Sequence, residues 1–479
     1  MRTTLIRSAD WIIAWDEAQY RHVYRRNADV AFRGDTIIHV GETFQGKADA
    51  VVEGQGLLVM PGLVDVHSHP GHEPAYRGIR EEHGVRNMYM TGLYERSQAF
   101  NISDPDLKRA AVEVALCELL KSGVTSLCDI SSIYEGWVDA FVRSGMRGFL
   151  APGFASARWK LENDHRLEFE WDEARGREGL EISLAFIDRL ANHPSGRLSG
   201  IVSPLQIENC SDDLLRESFA AARDRNVPFT VHISQGVLEV HEMIRRHGVT
   251  PIRHAKDIGI LEPSSILGHA IFLDTHSWIR WWTKDDLNIL ADSGCSVAHC
   301  PTPFARYGQI MENFGDYVRA GVNMGIGTDT TPHNMLEEIR KAGTFARIAS
   351  RDVNNVSTSM LFHAATVGGA KALMRDDLGR LASGAKADIV LVDAHHPDMM
   401  PVRDPLRSLV FHAADRAVRD VYIAGRQVVA EGRVTTLDHK AAGERLTEAQ
   451  NRMMASSVSR DYRGRTTDEL APLSLPILV

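Results

Sequence analysis

Between residues 59 and 380 a short apolar run is followed by an amphipathic stretch, several times over. Few folds accept that order, because consecutive parallel strands need a helical crossover. The first run ends in Val64-Asp65-Val66-His67-Ser68-His69. Strand-like runs follow at Val124–Ile130, Gly148–Ala151, Gly200–Pro204, Phe229–Ile233, Ser265–His269, Gly294–His299 and Val322–Thr328, with helical stretches such as Asp212–Arg225 and Leu238–Gly248 between them. Eight such units predict an α/β chain with a closed (β/α)8 barrel. The alternative is a doubly wound open sheet, but no glycine-rich phosphate loop follows the first strand.

The two ends read differently. Residues 1 to 58 alternate as short strands with turns at Gly34 and Gly41, and Ala387–Val392 and Val418–Val429 have the same character. Neither end holds enough strands for a core of its own, so pairing them into one small β-sandwich is expected. This gives a discontinuous sandwich domain (1–58 plus 381–440), a barrel domain (59–380) and a C-terminal helix and tail (441–479). The tail ends apolar, from Leu473 to Val479, and is expected either to dock on a neighbouring subunit or to be loose. Residues 156–180 form a charged insertion that suits a lid or a subunit contact. Trp278, Trp281 and Trp282 are spaced as one apolar helix face, for the core or an interface.

Composition narrows the function classes. Apolar residues make up 44% and charged residues 24%, the globular average, which excludes a disordered or collagen-like chain. The apolar stretches are too short to span a membrane, and the N-terminus lacks a secretory pattern, so a cytoplasmic protein is expected. A net charge of −9 makes a general nucleic-acid binder improbable. Five cysteines without a CxxC pair indicate neither a disulfide framework nor a cysteine zinc site.

The 21 histidines are the informative residues. On a strand, residues i and i+2 share a face, so His67 and His69 can hold one ion together. His232, His269, His299 and Asp329 each close a later strand-like run, at the barrel edge where such enzymes keep their catalytic groups. His67, His69, His232 and Asp329 would offer three nitrogens and a carboxylate to a metal that acidifies a water. Asp329 can take that water's proton, His269 can hydrogen-bond the water or polarise a substrate carbonyl, and His299 suits either support of the site or substrate contact. Tyr89, Phe304 and Tyr307 are candidates to stack on a substrate ring. Loop residues His72, Tyr76, Arg77, Glu81, Glu82 and His83 are candidates for the mouth.

The segments PGLVDVHSH, VHIS, LGHA, VAHCPTPFARYG and GIGTDTTPHNM, with LGRLASGAKADIVLVDA near the end, resemble the motifs of the amidohydrolase superfamily. Within it they are similar to the atrazine/triazine-hydrolase-like (ATZ/TRZ) group, which also contains adenosine-type and guanine-type deaminases. The resemblance runs from about residue 4 to 435. It implies a distorted (β/α)8 TIM barrel, a β-sandwich built from both termini, and a homodimer or larger homo-oligomer acting on a small molecule. It also implies one divalent metal ion, zinc first, with iron, cobalt or manganese as alternatives, on His67, His69, His232 and Asp329. Binuclear members carry a carboxylated lysine on the fourth strand, and Gly200–Gln206 contains no lysine.

Two positions depart from the deaminase pattern. The glutamate three residues after the fifth-strand histidine is here Gln235, and the histidine after the fourth-strand proline is here Leu205. An amide cannot titrate, so Gln235 is read as contacting and positioning substrate rather than shuttling a proton. The expectation is therefore hydrolysis of a C–N bond in an aromatic amide, urea or carbamate, as in the phenylurea and thiocarbamate hydrolases of the superfamily. The alternative is a deaminase or dechlorinase of a purine-, pyrimidine- or triazine-like ring.

Overall fold

The computed structural model describes residues 1–79, 93–163 and 165–478. The chain begins with five strands: β1 (Thr3–Asp16), β2 (Arg21–Arg33), β3 (Thr36–Gly41), β4 (Ala50–Glu53) and β5 (Leu57–Pro61). It then enters the barrel with β6 (Leu63–Ser68), β7 (Val124–Ser131) and β8 (Arg147–Phe154). An antiparallel hairpin, β9 (Ala157–Lys160) and β10 (Glu168–Trp171), precedes the fourth barrel strand, which is broken into β11 (Leu198–Gly200) and β12 (Ser203–Pro204). The barrel continues with β13 (Phe229–Ile233), β14 (Ser265–His269), β15 (Ser296–His299) and β16 (Asn323–Ile326). The chain returns to the first sheet through β17 (Ile389–Asp393), β18 (Val418–Ile423), β19 (Arg426–Ala430) and β20 (Arg433–Val434).

The barrel strands form two parallel four-strand arcs, β6-β7-β8-β11/β12 and β13-β14-β15-β16. Single bridges join them: Val202 to Phe229 and Gln206 to His232 on one seam, Ser68 to Asp329 on the other. Sparse pairing at the seams is what makes the barrel distorted. Its strands are buried on both faces, as parallel strands covered by helices are.

The terminal strands form one nine-stranded hydrogen-bonded sheet in the order β20-β19-β18-β17-β5-β1-β2-β3, with β4 beside β1. A register shift between Ile6 and Ala9 lets β1 serve two neighbours, β4 through Thr4–Arg7 and β5 through Trp11 and Ile12. The sheet wraps a core of Ile6, Ile12, Val30, Phe32, Val59, Ile389 and Leu391, drawn from both ends of the chain. β5 pairs with β17 from Pro61 to Leu57, so the expected boundary at residue 58 falls inside a strand.

One local reading changes. Trp278, Trp281 and Trp282 lie in irregular backbone, with Trp278 and Trp282 exposed, because the carboxylate of Asp274 organises this loop by accepting from the backbone N–H groups of Asp285 and Asp286. The 156–180 insertion resolves into the β9–β10 hairpin and the start of helix Glu173–Leu190. The final helix, His439–Ala455, packs Ala442, Leu446 and Met453 against Leu107, Ala110 and Val114 of helix Pro105–Lys121. No helix among the described residues is long and apolar enough to cross a membrane.

A buried ion pair joins barrel and terminal sheet. Arg147 at the start of β8 donates from Nε and Nη2 to Asp388, at 3.0 and 3.1 Å, and Asp388 also accepts from the Ala424 N–H at 2.7 Å. Removing one partner strands a buried charge. Asp388→Ala is expected to lower stability by about 3–5 kcal/mol, measured by urea unfolding. A loss below about 1 kcal/mol would mean the pair is dispensable.

Candidate metal centre and cavity

At the C-terminal end of the barrel, β6 delivers His67 and His69, β13 delivers His232, β14 delivers His269, and the turn after β16 delivers Asp329. The ring nitrogens of His67, His69 and His232 lie within 4.8 Å of one another. Asp329 Oδ1 is 3.4 Å from His69 Nε2 and 3.8 Å from His67 Nε2. Two ligands on one zinc-sized ion, at about 2.0–2.1 Å each, are separated by about 3.0–3.4 Å, so the cluster is close to ligating geometry.

The hydrogen bonds behind the rings settle which nitrogen faces inward. His69 Nδ1 lies 2.9 Å from the Ile130 carbonyl and His232 Nδ1 lies 2.5 Å from that of Leu205. Each Nδ1 must donate, so each Nε2 carries a lone pair. Those two Nε2 atoms face each other at 3.1 Å, where two acceptors repel unless a proton or cation lies between them. Burial, with neighbouring positive charge, lowers the His69 pKa to about 3, and burial lowers that of His232 to about 4. Both rings are therefore neutral near pH 7, and a cation between them would satisfy both lone pairs. Both ring nitrogens of His67 are buried without a hydrogen-bond partner, which gives the same answer.

Asp329 is also buried, and burial raises its pKa well above the usual carboxylate range; nearby Glu73 raises it further and Arg96 opposes. A cation among the imidazoles would reverse that penalty. Cys300 joins the constellation, within 4.8 Å of the ligand atoms of His67, His269 and Asp329, but burial pushes its thiol pKa well up and keeps it S–H.

Further residues hold the site in place. Asp65 accepts from the His67 N–H at 3.2 Å and from Thr328 Oγ1 at 2.6 Å, tying β6 to the strand end that carries Asp329. Glu239 accepts from the Ser234 and Gln235 N–H groups at 2.6 and 2.7 Å and sets the loop after β13. Sequence reasoning did not single out either residue, although Glu239 stands three residues after Gly236, at the spacing of a helix cap.

The cluster opens into a cavity of about 720 Å³, within the range of small-molecule sites. His269, Gln235, Phe304 and Tyr307 all line it, as does Leu205. His269 packs edge-on to Phe304 at 4.6 Å, and the Gln235 amide nitrogen is buried without a partner. His299 is not on the cavity wall; it is buried with its ring 5.4 Å from Phe314, which fits support better than substrate contact. Tyr89, with Glu81, Glu82 and His83, lies outside the described residues. The wall also holds His72, Glu73, Tyr76, Arg96, Lys108 and Trp159. His72 and Tyr76 were candidates from the sequence; the other four gave no signal there.

A parallel barrel with a histidine-rich, carboxylate-bearing cluster at its C-terminal mouth defines a metal-dependent hydrolase. The amidohydrolase family model matches residues 58–428, and the chain belongs to that family. A 5-methylthioadenosine/S-adenosylhomocysteine deaminase from Natronomonas pharaonis is 30% identical over 441 residues, 91% of this chain and 95% of the relative. Among solved structures, an adenosine deaminase from Xanthomonas campestris with bound zinc matches with a TM-score of 0.82 and 21% identity, over 94% of this chain and 98% of that one. An atrazine chlorohydrolase from Arthrobacter aurescens, complexed with zinc, matches with a TM-score of 0.79 and 23% identity, over 93% of this chain and 100% of that one.

Gly268 packs where a Cβ would stand 2.9 Å from His67 Cε1 and 3.3 Å from the His232 Cα. Gly268→Ala is expected to push the His67 ring aside and weaken metal retention at least about tenfold, read by metal analysis after chelator dialysis while circular dichroism stays native. Unchanged retention would remove His67 from the ligand set.

Proposed function

We propose that this chain is a metal-dependent aminohydrolase, in which water displaces an amino or comparable group from a carbon of a purine- or triazine-like ring. The observation that carries the metal chemistry is the pair of inward-facing Nε2 acceptors of His69 and His232, 3.1 Å apart, beside Asp329 and the unpartnered His67. His67, His69, His232 and Asp329 are the proposed ligands of one divalent ion. Zinc suits three nitrogens and an oxygen, and two structural neighbours hold it. When bound, such an ion supplies a Lewis acid and a water of near-neutral pKa.

The other roles belong to the chain's own atoms. Asp329 takes a proton at its carboxylate on the cavity side. His269, kept neutral by burial, hydrogen-bonds the substrate atom on which charge develops. Gln235 offers its amide N–H groups to a substrate acceptor, and Phe304 and Tyr307 provide ring surface. The names of the relatives support a ring substrate: methylthioadenosine, S-adenosylhomocysteine and adenosine for the deaminases, atrazine for the chlorohydrolase. This moves the reading away from the amide, urea or carbamate expected from the sequence. The same proposal includes a cytoplasmic setting, a homodimer or larger oligomer, and division into 1–58 plus 381–440, 59–380 and 441–479, with the boundary at 58 moved to the end of β5 at Pro61.

Gln235 is the observation that favours the second reading. It cannot protonate a leaving ammonia, whereas an arylamine expelled from an anilide or phenylurea needs less help. The deciding experiment incubates zinc-loaded protein with adenosine, 5′-methylthioadenosine, an aminotriazine, an anilide and a phenylurea, and follows ammonia and product mass. Ammonia from the ring substrates is the expected result. Arylamine without ammonia would transfer the assignment to amide or urea hydrolysis, and no turnover with stoichiometric metal retained would overturn both.

In either case Gln235→Ala is expected to lower kcat/KM by about tenfold, the loss of one hydrogen bond. A fall beyond about a thousandfold with metal retained would contradict a positioning role.

A further inference from the structure

The cavity differs in charge from the protein that surrounds it. The chain carries a net charge of −9. Yet the described part of the cavity wall holds Arg96, Lys108, Arg158, Arg175 and Arg306 against two acids, Glu73 and Asp329. Asp329 belongs to the metal cluster, and Glu73 pairs with Arg96 at 3.0 Å. Arg175 leans on Asp172 and on backbone carbonyls, and Arg306 donates to the Thr331 carbonyl.

Lys108 stands apart. It projects from helix Pro105–Lys121, only 8% exposed, and its ammonium donates to Ser132 Oγ and sits 5.6 Å from the Tyr134 ring centroid. No carboxylate among the described residues comes within 4 Å of it. Asp129, the buried acid whose charge acts on Lys108, is off the cavity wall and is engaged by Trp137 Nε1 at 2.6 Å and Ser131 Oγ at 2.7 Å. Burial lowers the Lys108 pKa, and Asp129 only partly offsets this. A buried lysine without a counter-ion among the described residues, on a cavity wall, is costly unless a ligand completes it.

Its position ties it to the reaction centre. Ser132 lies two residues beyond Ile130, whose carbonyl orients the metal-facing His69.

We infer that Lys108 and Ser132 form an anion seat in this cavity, and that the ring substrate carries a carboxylate or similar anionic oxygen group. The turnover part of this inference rests on the hydrolase reading above; the anion seat does not.

The binding test uses benzenesulfonate, a poor metal ligand, against the neutral methyl phenyl sulfone, on full-length zinc-loaded protein by titration calorimetry at 0.15 M salt. Benzenesulfonate is expected to bind wild type at least about tenfold more tightly than the sulfone, and Lys108→Met to abolish that difference. Lys108→Arg keeps the charge and is expected to restore binding to within about threefold of wild type, which separates lost charge from lost fold. Equal affinity for the two probes in wild type, or a preference that survives Lys108→Met, would overturn the seat. In turnover, ring substrates bearing a carboxylate are expected to exceed their methyl esters in kcat/KM at least about tenfold through KM, with the preference gone in Lys108→Met. Esters processed as well as acids would overturn the substrate class. If nothing in the panel turns over while the calorimetric pattern holds, the hydrolase reading fails and the seat stands.

Discussion

Closure of the barrel at one seam decides whether there is a site at all. The Asp329 N–H donates to the His67 carbonyl at 2.9 Å, and the His69 N–H donates to the Asp329 carbonyl at 3.0 Å. The residues that zip the last strand to the first are thus the residues that present His67, His69 and Asp329 to one point. Side chains alternate along a strand, so a slip of one residue would swing both histidines to the other face. Asp65, bonded across the seam to Thr328 by its side chain, resists that slip. The backbone pays for the geometry: Asp329 and His269 hold positive φ angles of 58° and 82°, unusual for residues with a Cβ.

The electrostatics of the mouth follow from burial. Imidazoles removed from water give up their protons and become metal-ready bases, and the carbonyls of Ile130 and Leu205 select the tautomer that points inward. The same burial acts on Asp329 and Lys108 in opposite senses, raising one pKa and lowering the other, with only partial compensation from the described neighbours. A cation beside Asp329 and an anion beside Lys108 would relieve both. A metal and an anionic substrate in one cavity would therefore form a single electrostatic arrangement.

Residues whose chemistry is tied to a short local pattern were legible in the sequence. His67 and His69 share a strand face by the two-residue period, and His232, His269 and Asp329 fall where apolar runs end, which in a barrel is the functional rim. The terminal sheet was legible because two poor sets of strands had to complete one another. Lys108, Arg96 and Glu73 were not, since nothing nearby in sequence distinguishes an inward-facing charged residue of a helix from a solvated one. The tryptophan spacing at 278–282 misled because periodicity assumes a helix, and there loop hydrogen bonding wins. Leu205 and Gln235 were read from their places in a pattern, Gln235 as a substrate contact, and both line the cavity.

The sequence by itself determined the repeating strand–helix order, the partnership of the two termini, and the residue types able to bind a cation, because these depend on hydrophobic period and side-chain chemistry. The tertiary structure alone decided which nitrogen of each ring faces inward, that His299 stands off the cavity wall, and that a buried lysine from a neighbouring helix lines the same cavity as the metal cluster with no acid paired to it among the described residues. Those outcomes depend on hydrogen bonds and charges between segments far apart in the chain, and they come into being only when the barrel closes.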